Sequence, residues 1–202
     1  PSFSGRPGPV LLVVADGVLN APDYTRTCTC AYQLQTSLAL VHDADNEFWA
    51  FGHTDFTSEP VSSLGINLGA PGDRRDDDGV LWFEYPIIGG PSPKLAVDIE
   101  PKDSRWFGQH SSLLPRNPLN WVGASGVRGA GTIRVKAQMP DGVTRVTVRL
   151  VFTEPDALPP GKRVFNVLIN GQLAIEELDI AAATTSRNQT LIRDINDVPY
   201  DG

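Results

Sequence analysis

Residues 163–180, RVFNVLINGQLAIEELDI, decide the fold. Val164, Asn166 and Leu168 alternate with Phe165, Val167 and Ile169, a two-residue period that places the two sets on opposite faces of an extended strand. Asn170-Gly171 follows directly, the dipeptide that best tolerates the two positive φ angles of a tight hairpin turn. The reading is a strand, expected to be central in its sheet, then a hairpin and a returning strand that ends on Leu178, Asp179 and Ile180.

Upstream lies TRVTVRLVF, residues 144–152, where Val146, Val148 and Leu150 share one face and Arg145, Thr147 and Arg149 the other. That is the pattern of a half-buried antiparallel strand. Between the two strands, EPDALPPG at 154–161 has three prolines and a terminal glycine, which cannot continue a ladder and predict a stiff surface loop on the ligand side. Further β-branched runs predict strands at 10–15, 36–41 and 132–139, and no helical period of comparable strength occurs. Residues 89–120, rich in Pro, Ser and Gly, read as long ordered loops. The expected class is all-β.

The compound pattern VTVRLVFTEPDALPPGKRVFNVLINGQLAIEELDI, residues 146–180, resembles the malectin family: a strand, an FxEP-type loop, a GxRVF strand and a closing Asp-Ile. Weaker similarity runs back through 120–129 and 64–86. The resemblance implies a malectin-like jelly-roll β-sandwich with long loops that binds polysaccharide or glycan through loop aromatics and polar groups, without catalysis. It also implies a further strand beyond Gly202, from a longer polypeptide or a neighbour. Residues 15–42, ADGVLNAPDYTRTCTCAYQLQTSLALVH, are similar to the closing segment of planctomycete-type, PQQ-like β-propeller proteins in which such a module follows the propeller. The expected organisation is an N-terminal extended, propeller-tail segment over 1–57 and a sandwich over 58–202, with the composition shift at TSEPVSS between them. Those propeller proteins are exported, so the resemblance implies a periplasmic or extracellular setting.

Size and charge narrow the functions. A chain of 202 residues with 41% hydrophobic and 20% charged residues can bury a real core. A formal net charge of −7 leaves no broad basic surface, which argues against nucleic acid. The longest apolar run, 10–15, is too short to span a bilayer. The chain starts at Pro1, which suits a mature product or a piece of a longer one.

A sugar site needs an exposed aromatic plane beside hydrogen-bonding groups. Trp106 is the best candidate plane, with Arg105, Phe107 and His110 beside it and Tyr85 as a further plane; Trp82 and Trp121 read as core. A structural plug at Trp106 weighs about as much as a platform. The acidic turn GDRRDDDG, 72–79, offers Asp73, Asp76 and Asp78 as hard oxygen donors for a structural calcium. Its spacing misses the EF-hand pattern, since position one counted back from Gly79 is Arg74, and a solvated turn neutralised by Arg74 and Arg75 is the heavier reading.

Cys28 and Cys30 form a lone C-x-C, short of a zinc-ribbon or haem-attachment signature. A disulfide closing so small a ring would be strained, so pairing with cysteines elsewhere in an oxidising compartment competes with a reduced buried pair. Asn188-Gln189-Thr190 satisfies the glycosylation sequon and carries little weight. No G-x-S-x-G elbow or HExxH helix occurs, and no cofactor site can be named, so the chain is expected not to be an enzyme. Two other readings stand beside glycan binding. One is a structural domain packing on a propeller or a partner subunit; the other is a piece of a quinone- or haem-dependent redox protein.

Overall fold

The structure is a computed structural model. It describes residues 47–50, 62–88, 96–137 and 139–200, together with the backbone of three short N-terminal strands. Two compact units divide the chain, Pro1–Glu47 and Phe48–Gly202. In the first, β1 (Val13–Ala15), β2 (Val18–Ala21) and β3 (Leu38–Val41) form an antiparallel sheet in the order β1-β2-β3. Cys28, Cys30 and the expected boundary at 57/58 lie outside the described residues.

The second unit is built from short strands: β4 (Gly65–Leu68), β5 (Arg74–Arg75), β6 (Leu81–Tyr85), β7 (Ala96–Glu100), β8 (Arg105–Gly108), β9 (Ser125–Arg128), β10 (Thr132–Lys136), β11 (Arg145–Phe152), β12 (Val164–Ile169), β13 (Gln172–Asp179) and β14 (Leu191–Pro199). Among the described residues two four-residue helices, α1 (Asn120–Gly123) and α2 (Ile180–Ala183), and a 3-10 turn at Ser111–Leu113 are the helical content. This is an all-β, sandwich-type fold. Among the described residues the strands pair as β4-β6-β5, β7-β10, β8-β9, β11-β14 and β12-β13. The β4–β6 pairing is parallel and the others are antiparallel.

The quoted stretch folds as its alternation and turn require. β12 and β13 are a hairpin closed by Asn170 (φ 50°) and Gly171 (φ 76°), both left-handed, where Gly171 meets no steric cost. β13 carries a bulge in which Glu177 adopts φ 47°, and Asn166 Oδ1 accepts the Glu177 N–H at 2.8 Å. The displaced amide thus keeps a partner. Among the described residues β12 has one strand neighbour rather than the two expected of a central strand. Its outward face leaves Val164 and Leu168 exposed.

β11 and β14 form the second ribbon, with a bulge opposite Thr147. One face is a polar ladder along most of its length, and at its end Val151 and Ile192 pack on a cluster of tryptophans. Arg149 Nε and Nη2 both reach Asp194 at 2.8 Å, Thr147 Oγ1 donates to Asn196 at 3.1 Å, and Arg145 is bidentate on Asp197. The inner face is apolar. Phe152 from β11 and Leu191 from β14 meet Phe165, Val167, Ile175 and Leu178 of the hairpin, and Ile180 closes the cluster. The Phe152 and Phe165 rings lie edge to face, 6.0 Å between centroids.

A second cluster joins Trp82, Leu119, Trp121 and Val122, so both tryptophans read as core are core. Trp121 packs edge to face with Trp49 and Trp82, at 5.8 and 6.1 Å between centroids, and the Arg74 guanidinium sits 4.7 Å from its ring centroid. The stretch 89–120, expected as loops, contains β7, β8 and the 3-10 turn. Charged residues hid β7: Asp98 and Glu100 sit in a ladder where Arg134 from β10 and Lys102 neutralise them.

Leu178→Ala is expected to cost about 2–5 kcal/mol, since it opens a cavity inside the cluster between the ribbons. Leu168→Ala on the exposed face should stay within about 0.5 kcal/mol. Urea unfolding monitored by tryptophan fluorescence measures both.

Candidate functional site

The loop 154–161 is anchored by ion pairs. Glu154, only 6% exposed, accepts from Arg163 Nη1 at 2.6 Å and from the Asp156 N–H at 2.9 Å. Arg163 Nη2 reaches Asp156 at 2.9 Å, and Arg128 from β9 also binds that carboxylate. Two guanidinium groups thus face two carboxylates, which offsets much of the cost of burying Glu154. The Asp156 carboxyl is held below its ordinary range by Arg163 first and by Arg128. The Arg163 guanidinium is correspondingly raised, chiefly by Asp156.

The far end of the loop turns on Gly161, whose φ of 83° favours glycine. Its N–H donates to Asp179 Oδ2 at 2.5 Å. Ala157 also takes a left-handed conformation, φ 52°, which costs an alanine some strain.

A cavity of about 320 Å³ opens between this loop and the segment after β13. One wall is Glu154, Ala157, Leu158 and Pro160; the other is Ala181 and residues 184–189. Gln189 Oε1 holds the second wall in shape by accepting from Thr185 N at 2.8 Å, Thr185 Oγ1 at 3.0 Å and Ser186 N at 3.3 Å. Asn188, at φ 57°, brings a shielded Oδ1 with no hydrogen-bond partner. The lining mixes small apolar groups with hydroxyl, amide and guanidinium groups. Such a surface suits a polyhydroxylated ligand with apolar C–H faces.

The residues predicted as a sugar site do not converge as one group. Tyr85 and Trp106 do meet, with ring centroids 6.3 Å apart at 52°, and Trp106 is 41% exposed. Trp106 stands on β8 rather than on a loop, because β8 pairs with β9 through Trp106↔Val127. The Tyr85 hydroxyl donates to the Val97 carbonyl at 3.0 Å. Arg105 and Phe107, two residues apart, take the opposite face of β8. Phe107 packs where Gly126 leaves room, since a Cβ there would lie 2.7 Å from its ring, and Arg128 lies 5.6 Å from its ring centroid. His110 is exposed and caps the 3-10 turn, with Nδ1 2.8 Å from Ser112 Oγ and 3.3 Å from Ser112 N.

Nor does the structure gather the three aspartates proposed for calcium. Asp73 is buried and accepts the Glu84 N–H at 3.0 Å. Asp76 accepts from Val80 N and Trp82 Nε1, each at 2.8 Å, and exposed Asp78 lies 3.8 Å from Arg149. Among the described residues no cluster of three or more His, Cys, Asp or Glu side chains could hold a metal ion. The turn is therefore in part structural rather than wholly solvated.

Residues 144–202 match the family model of the malectin domain. This part of the chain is malectin-like. The match takes in β11 to β14, the loop 154–161 and the whole cavity. No curated protein and no solved structure matches the chain. No helix among the described residues is long and apolar enough to cross a membrane.

The residues that sequence reading missed are Arg128, Arg163, Asp179 and the wall at 184–189. Arg163, Glu154 and Asp179 stand inside the quoted motif, so the signal was present but carried no partner. The wall at 184–189 is polar and aperiodic, and the Asn188-Gln189-Thr190 sequon that overlaps it gives no hint of a cleft.

Asp156 is ionised and paired in the fold, with its pKa lowered from 3.8. Its contribution to stability is therefore complete above the unfolded value and is lost as pH falls below that value through the lower folded one. Urea midpoints measured from about pH 6 to about pH 2 should fall at the acid end. Asp156→Asn should be less stable at neutral pH and show a smaller acid decrement.

Proposed function

We propose that the malectin-like part of this chain is a non-catalytic carbohydrate-binding module that holds a glycan in the cleft between residues 154–161 and 181–189. The observation that carries this reading is the cleft's position and lining. It lies wholly within the stretch that matches the malectin domain, and its walls are two loops set on a rigid pair of ribbons. About 320 Å³ falls at the small end of ligand sites. The acid in its lining, Glu154, is committed to Arg163 and to the Asp156 N–H, an arrangement for holding a loop rather than for transferring protons.

In the same reading the module serves a larger exported protein, periplasmic or extracellular, and anchors it to polysaccharide or glycoprotein. The Tyr85–Trp106 pair is the rival location for the same class of ligand, because Trp106 presents part of its indole to solvent. A packing role has its own observation. Leu168 and Leu173 stand opposite each other in the β12–β13 register, 57% and 55% exposed, with Val164 on the same strand at 49%.

Glycan-array screening of the full chain, followed by calorimetry with the strongest sugar, tests the reading. Arg187→Ala, which removes a cleft donor, and Ala181→Phe, which fills the cleft, should each weaken binding by about tenfold or more. Trp106→Ala should leave it within about twofold. The reverse pattern would move the site to the Tyr85–Trp106 face. The absence of saturable binding to any glycan would remove the carbohydrate reading and favour the packing one.

A further inference from the structure

The two walls of the cleft are separated in sequence by the β12–β13 hairpin, and Asp179 hydrogen-bonds to a residue adjoining each of them. Its Oδ2 accepts the N–H of Gly161, at the end of one wall, at 2.5 Å. Its Oδ1 accepts the N–H of Ala182, in α2 at the start of the other, at 3.1 Å. One carboxylate therefore stitches two segments together, and its charge is met by backbone amide donors.

The position of that carboxylate is itself fixed. Asp179 pairs with Val164 as the last residue of β13. Its neighbours Leu178 and Ile180 are 5% and 6% exposed and belong to the cluster between the ribbons. A strand residue between two such anchors is held in place, and strand alternation sends its side chain to the face opposite theirs. The Leu-Asp-Ile ending thus combines two apolar anchors and one polar stitch. Gly161 completes the geometry, because its left-handed φ lets the chain turn where its amide meets Asp179.

We propose that Asp179 is the positioning residue of the cleft: it sets the separation of the two walls, and through it the affinity for glycan, without touching the sugar. It is absent from the cavity lining, and the two amides it binds, of Gly161 and Ala182, each directly follow a lining residue, Pro160 and Ala181. Charge-assisted hydrogen bonds to amides are among the stronger polar contacts a surface loop can have. A loop held open or shut by one such residue loses its preorganisation when that residue is changed. This proposal rests on the glycan reading of the cleft for its functional half, and on the wall geometry alone for the other.

Asp179→Asn tests it in the full chain with shape preserved, because one acceptor oxygen becomes an NH₂ that cannot take an amide proton. Asp179→Ala removes both acceptors, and Asp179→Glu keeps the charge on a longer arm. Hydrogen exchange followed residue by residue needs no sugar. The Gly161 and Ala182 amides should exchange about tenfold faster or more in the Asn and Ala variants, with less change in Glu, while amides of β11 and β14 keep their protection. With the array's strongest glycan, affinity should fall about fivefold or more in Asn and be partly restored in Glu. Unchanged exchange at both amides would overturn the stitch, whatever the protein binds. Faster exchange with unaltered glycan affinity would overturn the positioning role. A wild-type chain that binds no glycan would defeat the reading of the cleft and, with it, the functional half, leaving exchange to decide the wall geometry by itself.

Discussion

Everything that positions the cleft depends on one apolar contact, the burial of Phe152, Phe165, Leu178, Ile180 and Leu191 between two antiparallel ribbons. Neither ribbon could stand alone, because a two-stranded sheet in water has one face too many. Packed together, they partly cover the Phe152–Phe165 pair and bury Leu178, Ile180 and Leu191. The interaction also has a local consequence. It pins both neighbours of Asp179, and so fixes the point to which the two walls of the cleft are tied.

The polar chemistry around the cleft is conservative in character. Arg128, Arg163, Glu154 and Asp156 satisfy one another in a near-neutral network, which holds a proline-rich loop at a set height above β9 and β12. The groups that remain for a ligand are neutral amides and hydroxyls, one exposed arginine and small apolar patches. That division of labour suits a binding module. Charges are spent on shape, and uncharged groups are left to read hydroxyls.

Much of the scaffold was legible in the sequence. The alternation in residues 145–152 and 164–169, and the Asn170-Gly171 turn, are local signals with one structural solution each, and the strands and hairpin lie where they point. The strand β7 was hidden because its acidic residues are satisfied by cations from other segments, a relation no local pattern reveals. Trp106 was singled out for its neighbours in a loop-like stretch. Pairing across β8–β9 instead sends Trp106 and Phe107 to opposite faces and scatters the expected group. Asp73 looked like a solvated turn residue, yet it is buried against the Glu84 amide. The cleft itself was half visible: the loop 154–161 announces itself through its prolines, while its partner at 184–189 becomes a wall only through tertiary placement.

The most direct test is a titration of the full, ¹⁵N-labelled chain with soluble oligosaccharides of glucose, galactose, mannose and N-acetylglucosamine, followed by amide chemical shifts. If the cleft is the glycan site, one sugar class will shift the amides of residues 156–161 and 181–189 in a saturable way while those of β8 stay still. Saturable shifts centred on residues 105–108, or no saturable shifts with any of these sugars, would contradict it.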